Sequence, residues 1–243
     1  MKIDRMDLSN KALRVRSSLK EDAMSPIDIV RTIGRIDKLT LIFYPLGTNI
    51  SGICIKLDHS SLIAVNTDCS KGRQNFTLAH ELYHLFFSKD RSSNICPKFS
   101  GKNDEEEHKA DIFASYFLLP APALDDLMTG DKTISIKKII EIEQMYGISH
   151  NALLTRLVMD GYLTRDETEG YRDGVISKAK RMGYDVSLYE KGGQSGTYGY
   201  YISKVNELYE ENRISDDKRD ELYLECMRED LIRKDDEDKY VAD

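Results

Sequence analysis

One apolar stretch, Phe76–Phe87, limits most strongly what this chain can fold into. It contains no Gly or Pro, which is typical of a buried helix. Its polar residues are Thr77 and a trio formed by His80, Glu81 and His84. Burying such a trio without partners would cost several kcal/mol, so the helix needs something that binds these groups.

The spacing of the trio predicts a metal site. Residues four apart lie on one face of a helix, so His80 and His84 point the same way about one turn apart. Two imidazoles at that separation can bind one metal ion, and Glu81 lies beside them. This H-E-x-x-H pattern is typical of zinc hydrolases, in which the glutamate acts as general base toward a water molecule.

A third metal ligand is expected from elsewhere, because catalytic zinc takes three protein ligands and keeps one position open. The stretch Asp104–Ala114 predicts a second helix, on which Glu107, Ala110 and Asp111 share one stripe. Small alanines on that stripe would let the two helices approach closely. We therefore predict Glu107 as the third zinc ligand. We also predict that Asp111 accepts a ring N–H from a ligand histidine and orients it.

Three other side chains remain alternatives for the third ligand. Glu106 and His108 flank Glu107 in the chain, although an acidic helix start is also favourable for the helix dipole. Cys96 is a second choice, because Pro97 and the polar surroundings predict a loop there.

Two blocks of the sequence resemble the ImmA/IrrE metallopeptidases. Arg73–His84 is similar to the family pattern R-Q-R-F-T-L-A-H-E-L-G-H, and Glu107–Pro120 is similar to E-x-x-A-[ND]-x-F-A-x-x-L-L-x-P. The resemblance extends, more weakly, from about residue 25 to residue 163. The chain departs from the pattern at Tyr83, where the family commonly has Gly. This position falls between the ligands and need not disturb them, although a larger side chain there could crowd the cleft.

The resemblance implies an α+β fold with a zincin-like, gluzincin-type peptidase core, a small β-sheet and a helical, helix-turn-helix-like region behind it. It would make His80, His84 and Glu107 the ligands of Zn²⁺ and Glu81 the catalytic base. It also implies a narrow protein substrate, namely a helix-turn-helix repressor or antitoxin cleaved in response to stress or a mobile-element signal.

We predict four segments along the chain. Residues 1–24 form a polar extension with a flexible or peripheral helix, residues 25–130 the metallopeptidase core, residues 131–170 the helix-turn-helix-like region, and residues 171–243 a helical region with a charged tail.

The predicted core begins with a helix that Ser25 caps and that ends at Gly34. Strands follow at Leu39–Tyr44, Gly52–Leu57 and Leu62–Asn66, and the last two form a hairpin. An edge strand beside the zinc could pair with an extended peptide substrate through main-chain hydrogen bonds. The equally weighted alternative is that the strands only cover the helix. The polar residues 88–103 are predicted to be a loop at the rim of the cleft.

The later segments carry weaker signals. Two amphipathic helices flank Gly147, and the second carries a single basic residue, Arg156, so packing or docking a protein is favoured over DNA contact. Residues 191–199 are predicted to be a flexible joint. Helices are predicted at 200–212 and, after a Ser215 cap, at 215–234, before a disordered tail.

Composition supports a soluble, cytoplasmic protein. The 243 residues carry a net charge of −7, which argues against strong non-specific nucleic-acid binding. No apolar run approaches the roughly 18 residues that span a bilayer, and the polar N-terminus has no signal-peptide core. The cysteines have no C-x-x-C spacing and are interpreted as free thiols: Cys54, Cys69, Cys96 and Cys226.

Three functions compete at this level. A zinc endopeptidase is favoured, because a purely structural zinc site has no use for Glu81. The alternatives are a non-catalytic zinc-binding regulatory protein on the same fold and a DNA-binding transcription regulator. The donor that would stabilise the oxyanion is not identified, with Tyr83, Tyr116 and His150 as candidates.

Overall fold

The computed structural model describes residues 3–88, 94–97, 105–130, 133–193 and 195–232. These residues form a mixed α+β structure, as the sequence predicts. The strands are β1 (Leu39–Tyr44), β2 (Ile50–Lys56), β3 (Ser61–Asn66), β4 (Asn94–Pro97) and β5 (Gly196–Gly199). The helices are α1 (Arg5–Ser18), α2 (Ile29–Ile33), α3 (Lys71–Phe87), α4 (Glu105–Leu118), α5 (Ala121–Met128), α6 (Ile136–Tyr146), α7 (His150–Met159), α8 (Arg165–Glu169), α9 (Val175–Arg181), α10 (Tyr200–Glu210) and α11 (Asp216–Glu225).

The strands form one sheet in the order β4-β2-β3-β1-β5. The predicted hairpin is confirmed, since β2 and β3 pair antiparallel with Ile55 opposite Leu62. β1 lies parallel to β3, whereas β4 and β5 pair antiparallel with β2 and β1. The two strands that come last in the chain, β4 and β5, therefore form the two edges of the sheet.

Helix α3 lies between the sheet and α4 and is the centre of the core. Its N-cap is Ser70, whose side chain accepts a hydrogen bond from the Arg73 N–H. Leu78, Ala79 and Leu82 are fully buried, which explains the absence of polar residues at these positions. The apolar run thus folds into the buried helix that its composition predicts.

The N-terminal segment is part of the core, so the prediction of a flexible or peripheral extension is wrong. Leu8, Ala12 and Val15 of α1 are buried in the same apolar cluster as α3 and α4. Arg16 is fully buried, and its Nη1 donates to the Phe117 carbonyl at 2.7 Å, near the end of α4. An apolar stripe and a buried cation that satisfies main-chain oxygens hold this helix in place.

The first helix of the predicted core begins later than expected. Its N-cap is Asp28 rather than Ser25, because the Asp28 carboxylate accepts the Arg31 N–H at 3.1 Å. The Ser25 N–H instead donates to the Asp22 carboxylate in a turn. The helix ends at Gly34, as predicted.

Two segments predicted to be irregular are strands. Cys96 and Pro97 lie in β4, which uses the main-chain donors and acceptors of the outer edge of β2. Residues 89–93 and 98–103 of the predicted rim loop lie outside the described residues. Within the predicted joint at 191–199, Lys191 forms a bridge with Ser70, and β5 covers the outer edge of β1. Pairing of an open sheet edge outweighs the local preference for a loop.

The remaining helices follow the sequence pattern. Gly147 adopts a φ of 62° between α6 and α7, and Ser215 caps α11. Helix α11 ends at Glu225, short of the predicted end, and the tail from residue 233 lies outside the described residues. The apolar core cluster runs from Leu8 to Leu163, so it crosses the proposed segment boundaries, which remain a prediction.

Candidate metal centre

Helix α3 presents the two histidines from one face. His80 and His84 are one turn apart, and their Nε2 atoms are separated by 3.1 Å. Both side chains are buried, with residual exposures of 7% and 2%. The helical period alone explains this convergence.

Helix α4 brings the carboxylate of Glu107 to the same point. Glu107 Oε2 lies 3.2 Å from His80 Nε2, and Oε1 lies 3.1 Å from His84 Nε2. Ala110 and Ala114, which have no bulk to separate the helices, are fully buried beside it. The predicted stripe of small residues thus lies in the α3–α4 interface.

The three side chains fit a zinc ion in chemistry and in spacing. One donor atom from each of His80, His84 and Glu107 lies within 4.8 Å of the others, and this is the only such group among the described residues. Two tetrahedral zinc ligands with bond lengths of about 2.0–2.1 Å are about 3.3 Å apart. The observed separations of 3.1–3.2 Å are close to that value. The role of each residue as a ligand remains a prediction.

The far ring nitrogens of both histidines have partners. Asp111 Oδ1 lies 2.9 Å from His80 Nδ1, in the position that the helical stripe predicts. Ser88 Oγ lies 2.9 Å from His84 Nδ1. Sequence reasoning missed Ser88, although its place four residues after His84 is a usable signal. Such partners orient the ring and set its tautomer.

These contacts shift the ionisation of the metal-free site. Burial disfavours the charged imidazolium, but hydrogen bonds to Asp111 and Glu107 raise the pKa of His80 to about 10. Burial likewise opposes ionisation of Glu107, but hydrogen bonds with His80 and His84 hold the pKa of its carboxyl well below its usual range. The centre therefore favours a cation beside the Glu107 carboxylate.

Glu81 lies beside the histidines, against strand β2. It is fully buried, and a Cβ added to Gly52 would come within 2.6 Å of Glu81 Oε1 and 2.5 Å of Thr77 Cγ2. Gly52 therefore leaves the space that the carboxylate occupies. Sequence reasoning missed this role, because a glycine in a strand shows its purpose only when the opposing helix is known.

Two of the three alternative ligands, Glu106 and His108, have other surroundings in the structure. Glu106 accepts hydrogen bonds from Tyr83 Oη at 3.1 Å and Lys109 Nζ at 2.7 Å. His108 is exposed and lines a groove beside α7. The side chain of Cys96 lies outside the described atoms.

Tyr83, the departure from the family pattern, lies between α3 and α4. Its ring contacts those of Phe87 and Phe113 at centroid distances of 5.5 and 5.7 Å. Burial and the neighbouring Glu106 carboxylate raise its pKa to about 12, so it stays a neutral donor. This placement gives the larger side chain a position in the core.

The other two oxyanion candidates have partners away from the centre. Tyr116 donates to Asp160 Oδ1 at 3.2 Å. His150 lies 2.6 Å from Glu143 Oε1 through Nδ1 and 3.0 Å from the Tyr171 carbonyl through Nε2. Neither contact involves the metal centre.

The single basic residue of the predicted reading helix is inside the protein. Arg156 is fully buried, with Nε 2.5 Å from Asp160 Oδ2 and Nη1 2.9 Å from the Leu119 carbonyl. Its guanidinium carbon lies 3.7 Å from the centroid of the Tyr116 ring. These contacts leave Arg156 inaccessible to a DNA backbone.

The structure combines an α+β core with two histidines and a glutamate on one helix and a carboxylate from a second helix. This combination is typical of a metallopeptidase-type site. Comparison with known proteins agrees, because residues 40–158 match the model of the IrrE N-terminal-like domain, a peptidase family. These residues include the whole candidate centre. Over these residues the chain is similar to the ImmA/IrrE metallopeptidases, which confirms the resemblance seen in its sequence.

One curated relative is the radiation response metalloprotease IrrE of Deinococcus deserti. It is 34% identical over 98 residues, which cover 39% of this chain and 34% of the relative. The match therefore spans about a third of the relative's length.

Proposed function

We propose that this protein is a zinc-dependent endopeptidase that hydrolyses a peptide bond in one specific protein. The proposed substrate is a helix-turn-helix transcriptional repressor or antitoxin, and its cleavage would serve stress response or mobile-element regulation in the cytoplasm. The observation that carries the proposal is the convergence of His80, His84 and Glu107 within 4.8 Å, with Glu81 next to the first of them. The metalloprotease named among the relatives supports the reaction class.

Each residue would have a separate task. His80, His84 and Glu107 would hold zinc, which supplies polarisation of the scissile carbonyl and acidifies a water molecule. Glu81 would accept a proton from the attacking water and return it to the leaving amine. Asp111 and Ser88 would keep the two imidazoles in the required orientation. Gly52 would leave room for Glu81.

No membrane-related role is proposed. None of the helices in the described part of the chain combines the length and the apolar character that crossing a bilayer requires. DNA is not a proposed partner either, because the net charge is −7 and Arg156 is buried.

Glu81→Gln provides the decisive test. Gln keeps the size of the side chain but cannot accept a proton, so we expect normal zinc content and a rate lower by about 10⁴-fold, equal to about 5.4 kcal/mol of barrier. Any repressor or antitoxin encoded next to this gene would be the candidate substrate, and its cleavage would be followed by gel electrophoresis, with and without a chelator.

The same assay distinguishes the interaction-protein alternative. Cleavage by the unaltered protein should stop with the chelator and return when zinc is added. If Glu81→Gln binds zinc normally and retains full biological activity, the peptidase proposal fails and a non-catalytic regulatory role replaces it.

A further inference from the structure

A concave surface lies beside the metal centre, where His108 and Ile112 of α4 and residues of α7 and α8 line a groove. This groove has a volume of about 730 Å³ and follows α7 from Asn151 to Met159, a length of about 12 Å at the helical rise. Its floor is apolar and includes Ile112, Leu154 and Val158. A floor of this kind favours an apolar helical stripe about two turns long.

The rim of the groove is basic, in contrast to the acidic protein. Arg5, Arg165 and Arg172 line it together with one acidic residue, Glu169. Arg172 pairs with Glu169 at 2.9 Å, whereas Arg165 is exposed and forms no ion pair within the described part of the chain. The whole chain carries a charge of −7, so the positive charge of this rim is opposite in sign to the net charge of the protein.

The geometry points to a docking groove for an acidic, amphipathic helical segment of the substrate protein. The apolar face of such a segment would lie on the floor, and its carboxylates would meet the arginines of the rim. A basic segment would be repelled by the same rim. Charge complementarity therefore selects the acidic partner.

The groove also lies close enough to the metal centre to serve as a substrate-docking site. Glu107 and Asp111 face the centre, while their neighbours His108 and Ile112 on α4 line the groove. A docked segment would therefore contact α4 about 100° round the helix from Glu107 and Asp111. The chain that continues from it could then reach Glu81.

This inference rests on the proposed function only in identifying the docked protein as the substrate. Binding in the groove requires neither zinc nor Glu81. It can therefore be measured on the full chain without any peptidase assay.

The probe is a fluorescein-labelled peptide of about 14 residues, four helical turns, with Leu on one face and Glu on the other. Its twin carries Lys in place of each Glu. Fluorescence anisotropy would measure binding of each peptide at low and high salt. We expect saturable binding of the acidic peptide that weakens with salt, and little binding of its basic twin.

Two exposed positions in the groove provide the variants. Arg165→Glu reverses a rim charge, and Thr155→Glu places a carboxylate on the exposed face of α7. Each should weaken the acidic peptide by about tenfold. Arg181→Glu makes the same charge change on α9, outside the groove, and should leave binding within about twofold.

The outcomes separate the groove from the proposed function. The groove is contradicted if the acidic peptide does not bind, if both peptides bind equally, or if Arg165→Glu and Arg181→Glu have equal effects. Amide exchange on the unaltered protein gives a check that needs no variant, because α7 and α8 should become protected when the peptide is added. A protein that binds the probe but cleaves nothing supports the groove and contradicts only the peptidase proposal.

Discussion

At the scale of single residues, the candidate centre depends on four side chains from two helices and on the atoms that hold them. His80 and His84 are paired by the helical period, and Glu107 completes the donor set at 3.1–3.2 Å. Glu106, next in the chain, is instead bonded to Tyr83 and Lys109. Glu106 and Glu107 therefore provide a matched pair of variants for testing which glutamate binds zinc.

Glu107→Ala should lose zinc, while Glu106→Ala should keep it. Removing a ligand is expected to weaken zinc by more than the 10–100-fold that partners of ligands typically contribute. Metal analysis of the two purified variants after dialysis would compare them directly. Full zinc content in Glu107→Ala, or loss in Glu106→Ala, would contradict the ligand assignment.

The partners of the ligand histidines should have smaller effects. Asp111→Ala and Ser88→Ala each remove one hydrogen bond to a ring Nδ1, so zinc affinity should fall by about 10–100-fold in each. The control is Glu105→Ala, which removes a surface carboxylate from α4 and leaves these hydrogen bonds intact. Competition with a chromogenic chelator would measure the affinities, and a value equal to that of the control would leave Asp111 and Ser88 without a role in the site.

At the scale of secondary-structure elements, the close approach of β2 to α3 positions the proposed base. A methyl group at position 52 would lie 2.6 Å from Glu81 Oε1, so either the strand or the carboxylate must shift. The atoms nearest to the added methyl group belong to Thr77, Glu81 and Ala64, and none of these residues is a predicted zinc ligand.

Gly52→Ala should therefore lower activity more than zinc content. Overpacking of this kind typically costs about 1–3 kcal/mol of stability, which thermal unfolding would detect. Gly170→Ala is the control, because Gly170 has an ordinary helical φ of −66° and the nearest atom to its added Cβ is 3.6 Å away. Unchanged stability and activity in Gly52→Ala would show that the space beside Glu81 is not needed.

At the scale of the whole molecule, charge and burial predict weak interaction with duplex DNA. The chain carries a net charge of −7, and the guanidinium of Arg156 is enclosed by Asp160, the Leu119 carbonyl and Tyr116. The helix pair around Gly147 is thus a part of the apolar core.

Arg156→Ala should destabilise the protein by about 3–5 kcal/mol, because it breaks a buried ion pair and leaves Asp160 without its cation. Chemical denaturation would measure this loss.

The unaltered protein should show no tight binding to random-sequence duplexes in a mobility-shift assay at physiological salt. Specific, salt-sensitive binding at nanomolar affinity would instead support the transcription-regulator alternative.

The sequence by itself determined the features that depend on local period. Four features follow from spacings within about a dozen residues. They are the face shared by His80 and His84, the stripe of Glu107 and Asp111, the hairpin of β2 and β3, and the Gly147 turn. Helical and strand periods are properties of the backbone, so such patterns can be recognised before the fold is known. The match to a peptidase family over residues 40–158 agrees with them.

Only the tertiary structure decided which distant segments cover the core and the sheet edges. The burial of Arg16, the pairing of β4 and β5, and the space at Gly52 each depend on a partner far away in the chain. A free sheet edge can pair with any strand that reaches it, so its partner is not determined locally. The reason for a glycine in a strand becomes clear only when the atoms that pack against it are known. Sequence patterns are silent on these points because the free energy comes from contacts between segments, whereas the local preference of each segment is weak.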